Sequence, residues 1–119
     1  MQDFTNLQVW KKAHDFTVNI YQATQNFPSE EKFGLTSQIR RASISIESNL
    51  AEGCGRNNDK EFARFVGIAQ GSAFEVRCQL ILARDLGYIS NNQFDFFEQK
   101  ILEINRMLNA LEQKLRAKS

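Results

Sequence analysis

Near the C-terminal end of the chain, Phe94, Phe97, Ile101, Ile104, Leu108, Leu111 and Leu115 recur at alternating spacings of three and four residues. A side chain every 3.5 residues on average stays on one face of an α-helix, and such an edge interlocks with neighbouring helices at a shallow crossing angle. Few folds accept this pattern: the segment has to be a long helix, and other helices have to hide its edge. Ser90, with Gln93 three residues later, has the form of a capping box that starts this helix, and Gly87 is placed to end the one before it.

The preceding helix is predicted from Asn58, whose side chain can cap it while Glu61 reaches back, to about Leu86. Its apolar stripe is Phe62, Phe65, Val66, Ala69, Ala73, Val76, Leu80 and Ala83. Upstream, Leu35, Ile39, Ala42, Ile46, Leu50 and Gly53 form another stripe, closed by the helix-breaking Gly53-Cys54-Gly55. The first helix carries Leu7, Trp10, Ala13 or His14, Thr17, Ile20 or Tyr21, and Thr24, and stops before Phe27-Pro28 because proline disfavours helix in the residue before it. The helices are thus expected at about 6–25, 34–54, 58–86 and 90–116. Connections this short force consecutive helices to run antiparallel, so the fold class is all-α, an antiparallel up-down-up-down four-helix bundle forming a single domain over residues 1–119.

A chain of 119 residues buries a substantial core without metal or disulfide, and one proline with six glycines suits long helices. Fifteen basic against fourteen acidic residues leave a formal charge of +1, so any nucleic-acid or anionic-membrane partner needs a local patch. Cys54 and Cys78 fall inside helical patterns with no His or Cys at metal-ligand spacing and read as reduced structural thiols. No stretch approaches the roughly 20 apolar residues of a membrane span, and no targeting segment stands at the N-terminus, which points to the cytoplasm.

Nothing in the sequence assembles a catalytic centre, and the expectation is a protein that is not an enzyme and takes no cofactor, metal or small-molecule substrate. His14 is the only histidine. The carboxylates Glu47, Glu52, Glu61 and Glu75 lack the Glu-x-x-His pairs of a bundle di-metal site, and no phosphate loop, nucleophile elbow or zinc motif is present.

The second and third helices are unusually polar for parts of a bundle core. Arg41, Ser45, Ser48, Glu52 and Arg56 fall in one line along the second helix, with Gln38, Arg40 and Asn49 beside it. On the third, Gly67 and Gly71 lie four apart with Ser72 and Glu75 next to them, small residues that let backbones approach. One reading is a buried network in which Arg40 or Arg41 meets Glu52 or Glu75 and fixes helix register. The other is a polar groove or interface of Gln38, Ser45, Asn49, Glu52, Gly71, Ser72 and Glu75 that holds a ligand or a second subunit. For nucleic acid, the candidate phosphate contacts are Arg40, Arg41, Arg56, Lys60 and Arg64. The C-terminal Arg106, Lys114, Arg116 and Lys118 face only Glu112, an excess of three positive charges that could touch phosphate or simply offset the helix dipole.

Taken in chain order, Leu7-Gln8-Val9-Trp10-Lys11-Lys12-Ala13, Ile20-Tyr21, Phe27-Pro28, Gly34-Leu35, Gln38-Ile39-Arg40-Arg41-Ala42, Ser45-Ile46, Asn49-Leu50-Ala51-Glu52-Gly53 and Ala69-Gln70-Gly71-Ser72 resemble the four-helix-bundle proteins encoded in intervening sequences of bacterial 23S rRNA genes. The resemblance runs from the first helix into the fourth, which matches only as an apolar seam. It implies a bundle and a homo-oligomer, a pentamer being the form shared with a relative, the accessory protein of diversity-generating retroelements. That relative binds nucleic acid and a reverse transcriptase through a basic surface. In the family itself the link to ribosomal RNA rests on where the genes lie. The expected function is an oligomeric binding or scaffold protein for structured RNA such as ribosomal RNA. The alternative is a protein–protein module without a nucleic-acid role, using leftover apolar residues such as Ile44, Ile68, Phe74 and Phe96.

Overall fold

The computed structural model describes residues 3–119 and contains α1 (Gln8–Thr24), α2 (Leu35–Cys54), α3 (Asp59–Asp85) and α4 (Asn91–Lys118), with single 3-10 turns at Phe4–Asn6 and Ser29–Glu31. Each boundary has a local cause. Asn58 Oδ1 accepts the Glu61 N–H at 2.9 Å and starts α3, although the Glu61 carboxylate turns to Arg64 instead of reaching back. Ser90 and Gln93 form the full capping box at the start of α4. After α3, Gly87 takes φ +78°, and the N–H groups of Gly87 and Tyr88 bond the carbonyls of Arg84 and Ala83, the paired pattern that closes a helix with a left-handed residue. Between Pro28 and α2, Glu31 Oε1 accepts the Leu35 N–H at 3.1 Å and supplies the cap that Gly34 lacks.

Cross-helix contacts show every neighbouring pair to be antiparallel. His14 meets Glu47 while Tyr21 meets Arg40; Ser45 meets Ser72 while Gly53 meets Phe62 and Phe65; Arg77 meets Glu98 while Arg84 meets Phe94; Lys12 meets Glu103 while Phe16 meets Phe97. In each pair the partner number falls as the first number rises, the up-down-up-down order. The molecule measures 45 × 23 × 20 Å, and its length is that of α3 and α4, since 27 and 28 residues at 1.5 Å each span about 40 Å.

The core contains most of the edges read from periodicity, but α1 buries Val9 and Phe16, which its expected stripe lacks, and leaves Leu7 and Trp10 half-buried. Phe94, Phe97, Ile101, Ile104, Leu108 and Leu115 of α4 are buried, with Leu111 half-buried, and they face Val66, Ala69, Ala73, Val76 and Leu80 of α3 and Ile39, Ile46 and Leu50 of α2. In α1 the ambiguous positions resolve to Ala13 and Ile20 inside, His14 and Tyr21 outside. The buried Thr17 and Ser43 hydroxyls are satisfied: Thr17 Oγ1 donates to Ala13 O and to Ser43 O across the α1–α2 contact, and Ser43 Oγ to Ile39 O. The first helix starts at Gln8 and not at residue 6, after a 3-10 turn at Phe4–Asn6, and a second 3-10 turn, Ser29–Glu31, lies where only loop was expected.

Candidate nucleic-acid interface

The five candidate phosphate contacts do not form one patch. Arg40 is a structural tie between α1 and α2: its Nε donates to Thr24 Oγ1 at 2.8 Å, its Nη2 to Tyr21 O at 3.2 Å, and its plane lies 4.4 Å from the centroid of the Tyr21 ring. Arg41, one residue on and about 100° further round the helix, is exposed and borders a shallow recess with Phe33, Ser37, Gln38, Ser45 and Glu75. The other three gather at the far end of α2 and the start of α3. There Arg56 and Arg64 flank the Phe65 ring at 5.1 and 4.6 Å, Arg56 paired with Glu52 at 2.9 Å and Arg64 with Glu61 at 3.3 Å. The Arg64 guanidinium bonds the Glu61 carboxylate and holds its pKa below the ordinary value. With Asp59 beside Lys60, this cluster has no net charge.

The positive excess at that end comes from α4, because antiparallel packing brings the C-terminus of α4 beside the start of α3. Lys114 and Lys118 are exposed there, while Arg116 pairs with Glu112 at 3.1 Å; Arg106 is exposed near the middle of α4, in a recess with Gln99, Lys100 and Glu103. Lys60 therefore shares an end of the bundle with the α4 cations, and Arg40 and Arg41 lie nearer the other end.

The polar seam between α2 and α3 differs from expectation in two respects. Arg40 bonds α1, and Glu52 pairs with Arg56 in the next turn, so no ion pair joins Arg40 or Arg41 to Glu52 or Glu75 among the described residues. The reason is rotational phase: Arg40 points round α2 to its other neighbour, and the line that carries Arg41, Glu52 and Arg56 faces solvent. Hydroxyls and an amide form the seam instead. Ser72 Oγ donates to Ser45 Oγ at 2.8 Å, and Asn49 Nδ2 donates to Ser45 O and Oγ at 2.8 and 3.0 Å. Nor do Gly67 and Gly71 bring two backbones together. A Cβ at Gly71 would meet nothing within 4 Å, and one at Gly67 would meet only Glu112 Oε2 at 3.7 Å. The close approach is at Gly53, where a Cβ would lie 2.8 Å from Phe65 Cβ and 2.9 Å from Phe62 Cδ1.

α3 also carries a second apolar edge. Ile68, Leu82 and Leu86, with Phe74 at 63% exposure, face away from the core, and Gly71 and Cys78 lie among them. Phe33 stands 88% exposed beside the start of α2. Sequence reasoning named Ile44, Ile68, Phe74 and Phe96 as apolar leftovers, and all four are exposed; Phe33, Leu82 and Leu86 went unnamed because they lie outside or beside the stripes used to find the core.

His14 hydrogen-bonds Glu47 Oε2 through Nδ1 at 2.9 Å and stacks on Trp10, with ring centroids 4.9 Å apart and planes 10° apart, which fastens α1 to α2. Among the described residues no group of three or more His, Cys, Asp and Glu side chains is placed to hold a metal ion, and no helix is long and apolar enough to cross a membrane. No disulfide joins Cys54 and Cys78, and burial pushes the Cys54 thiol pKa up.

A family model described as 23S rRNA-intervening sequence protein matches residues 5–110. Among solved structures, a protein of unknown function from the S23 ribosomal protein family of Bacteroides thetaiotaomicron VPI-5482 is similar: it superposes with a TM-score of 0.82 at 27% identity, over 88% of this chain and 95% of its own. No curated protein matches the chain.

Proposed function

The chain belongs to the 23S rRNA-intervening sequence protein family, and on that premise we propose that it acts by binding and not by catalysis, as a homo-oligomeric scaffold that engages structured RNA. The observation that carries the reading is the second apolar edge of α3. A helix that is apolar on its outer side as well as its inner one is a helix meant to be covered twice, once by its own bundle and once by another molecule. A second copy of the chain is the cover we favour, and the ring of five implied by the sequence resemblance would put one α3 edge at each junction. RNA would then meet the end of the bundle where Lys60, Lys114 and Lys118 are exposed, with Arg41 and Arg106 as outlying contacts. Arg40, Arg56 and Arg64 serve this purpose only by giving up partners they already hold.

A salt titration tests the RNA half of the proposal. The full chain is mixed with fragments of 23S rRNA and affinity is followed by gel shift. Log affinity should fall linearly with log salt, by about 0.7 to 0.9 per phosphate neutralised. Changing Lys114 and Lys118 together to Glu should flatten that slope and leave the fold intact. Binding that ignores ionic strength, or no binding, would favour the second reading, a protein–protein module. The charge pairing of Arg56 with Glu52 and Arg64 with Glu61 is the observation on its side.

A further inference from the structure

The seam between α1 and α4 is the least extensively packed of those between neighbouring helices. Two adjoining recesses run along it and share Asn19 and Phe96, one of about 220 Å³ toward Lys12 and Glu103, the other of about 480 Å³ toward Asn26 and Asn92. We propose that this groove receives an unpaired nucleotide of a structured RNA, its base stacked on Phe96 and its edge read by the side-chain amides of Asn19, Gln22 and Asn92. The proposal rests on the RNA reading above and adds a site to it.

Three features of the groove select this occupant. Phe96 presents an aromatic face at 46% exposure, with its ring steadied edge-on against Phe97 at 5.3 Å, and an exposed rigid ring is a stacking platform for any base. The 480 Å³ half is lined only by amides and apolar groups, Asn19, Gln22, Asn26, Asn92 and Gln93 among them. Gln93 Oε1 already accepts the Ser90 N–H; the other amides offer both donors and an acceptor, the complement of a heteroaromatic base edge, and an uncharged wall suits an uncharged base. Charge enters only at the other half, where Lys100 Nζ lies 5.6 Å from the Phe96 ring centroid, within reach of a phosphate joined to a stacked base. Asp15 in the same half can accept from ribose hydroxyls, a contact DNA offers less of. A paired base has its reading edge occupied and its faces covered, so a slot between two helices admits a bulged or looped nucleotide and rejects a duplex. The opposite occupant, an apolar helix from another protein, would leave this row of amides facing a surface with nothing to bond.

The test uses the full chain and fluorescence anisotropy with labelled oligoribonucleotides, one unstructured single strand and one fully paired duplex. Variants are Phe96→Ala, Phe96→Leu, which keeps contact with Phe97 but removes the ring face, Asn19→Ala and Lys100→Ala. The single strand should bind more tightly than the duplex, and both Phe96 variants should weaken it by roughly 5- to 150-fold. Lys100→Ala should lower the salt slope by about 0.7. If wild type binds RNA and the Phe96 and Asn19 variants bind it equally well, the groove assignment is wrong and the RNA reading stands. If wild type binds neither oligonucleotide, the groove assignment falls, and the RNA reading is decided separately by the 23S rRNA gel shift. If Phe96→Leu changes the oligomer mass in solution while RNA affinity is unmoved, the groove belongs to a second copy of the chain and the proposal is overturned.

Discussion

Gly53 sets how near α2 can come to α3, and the two phenylalanines stacked against it, Phe62 and Phe65, leave no room for a methyl group. Gly53→Ala gains about 1 kcal/mol of helix propensity but overpacks a contact that includes α3 side-chain stems, a cost of roughly 1–3 kcal/mol. The net expectation is a lower thermal midpoint, measured by circular dichroism. Gly71 is the control, because nothing lies within 4 Å of its missing side chain. Gly71→Ala should stabilise the isolated chain by about 0.5–1 kcal/mol, and should weaken self-association if a second copy packs on that side of α3. The sequence placed small residues on facing helices, but only packing tells which one is pressed. The same limit applies to Arg40 and Arg41: adjacent residues point about 100° apart on a helix, and that angle separates a tie to α1 from an exposed cation.

At the scale of elements, the helix edges and caps were open to reading because each depends on residues close in sequence. The α4 heptads, the Ser90 box and the Asn58 cap all appear where the spacing put them. The link from Pro28 to α2 was not readable, because it depends on a contact across 57 positions: Tyr88 Oη donates to Glu31 Oε2 at 2.9 Å while Glu31 caps Leu35. The capping bond from Leu35, then the Tyr88 hydroxyl, hold the Glu31 pKa below its ordinary value. A carboxylate with a lowered folded pKa contributes stability that is fully present above the ordinary value near 4.5 and fades as pH falls through the folded value. Glu31→Gln should therefore melt below wild type at neutral pH, and the gap should close as the solution is acidified past that point. A gap of constant size at all pH values would mean the carboxylate charge plays no part.

For the molecule as a whole, the proposed covering of the outer edge of α3 by a second copy predicts its mass in solution. Phe74→Glu combined with Leu82→Glu should reduce the particle mass to that of one 13.7 kDa chain without loss of helix, as judged by light scattering and circular dichroism. Wild-type protein that already runs as a single chain would overturn the oligomer. The exposed apolar edge of α3 was only half legible beforehand. The leftover apolar residues were visible, but their alignment along one helix depends on knowing which side of α3 the bundle consumes.

The α1–α4 seam closes the circle of helices, and it is the only neighbouring pair not joined by a short connection. α2–α3 and α3–α4 are far more extensively packed. Contacts between chain segments this distant cost more loop entropy to form than those within a hairpin. Closure of the seam therefore rests on side chains alone, Phe16 edge-on against Phe97 and Lys12 against Glu103, where the other neighbours are also tied by the chain itself.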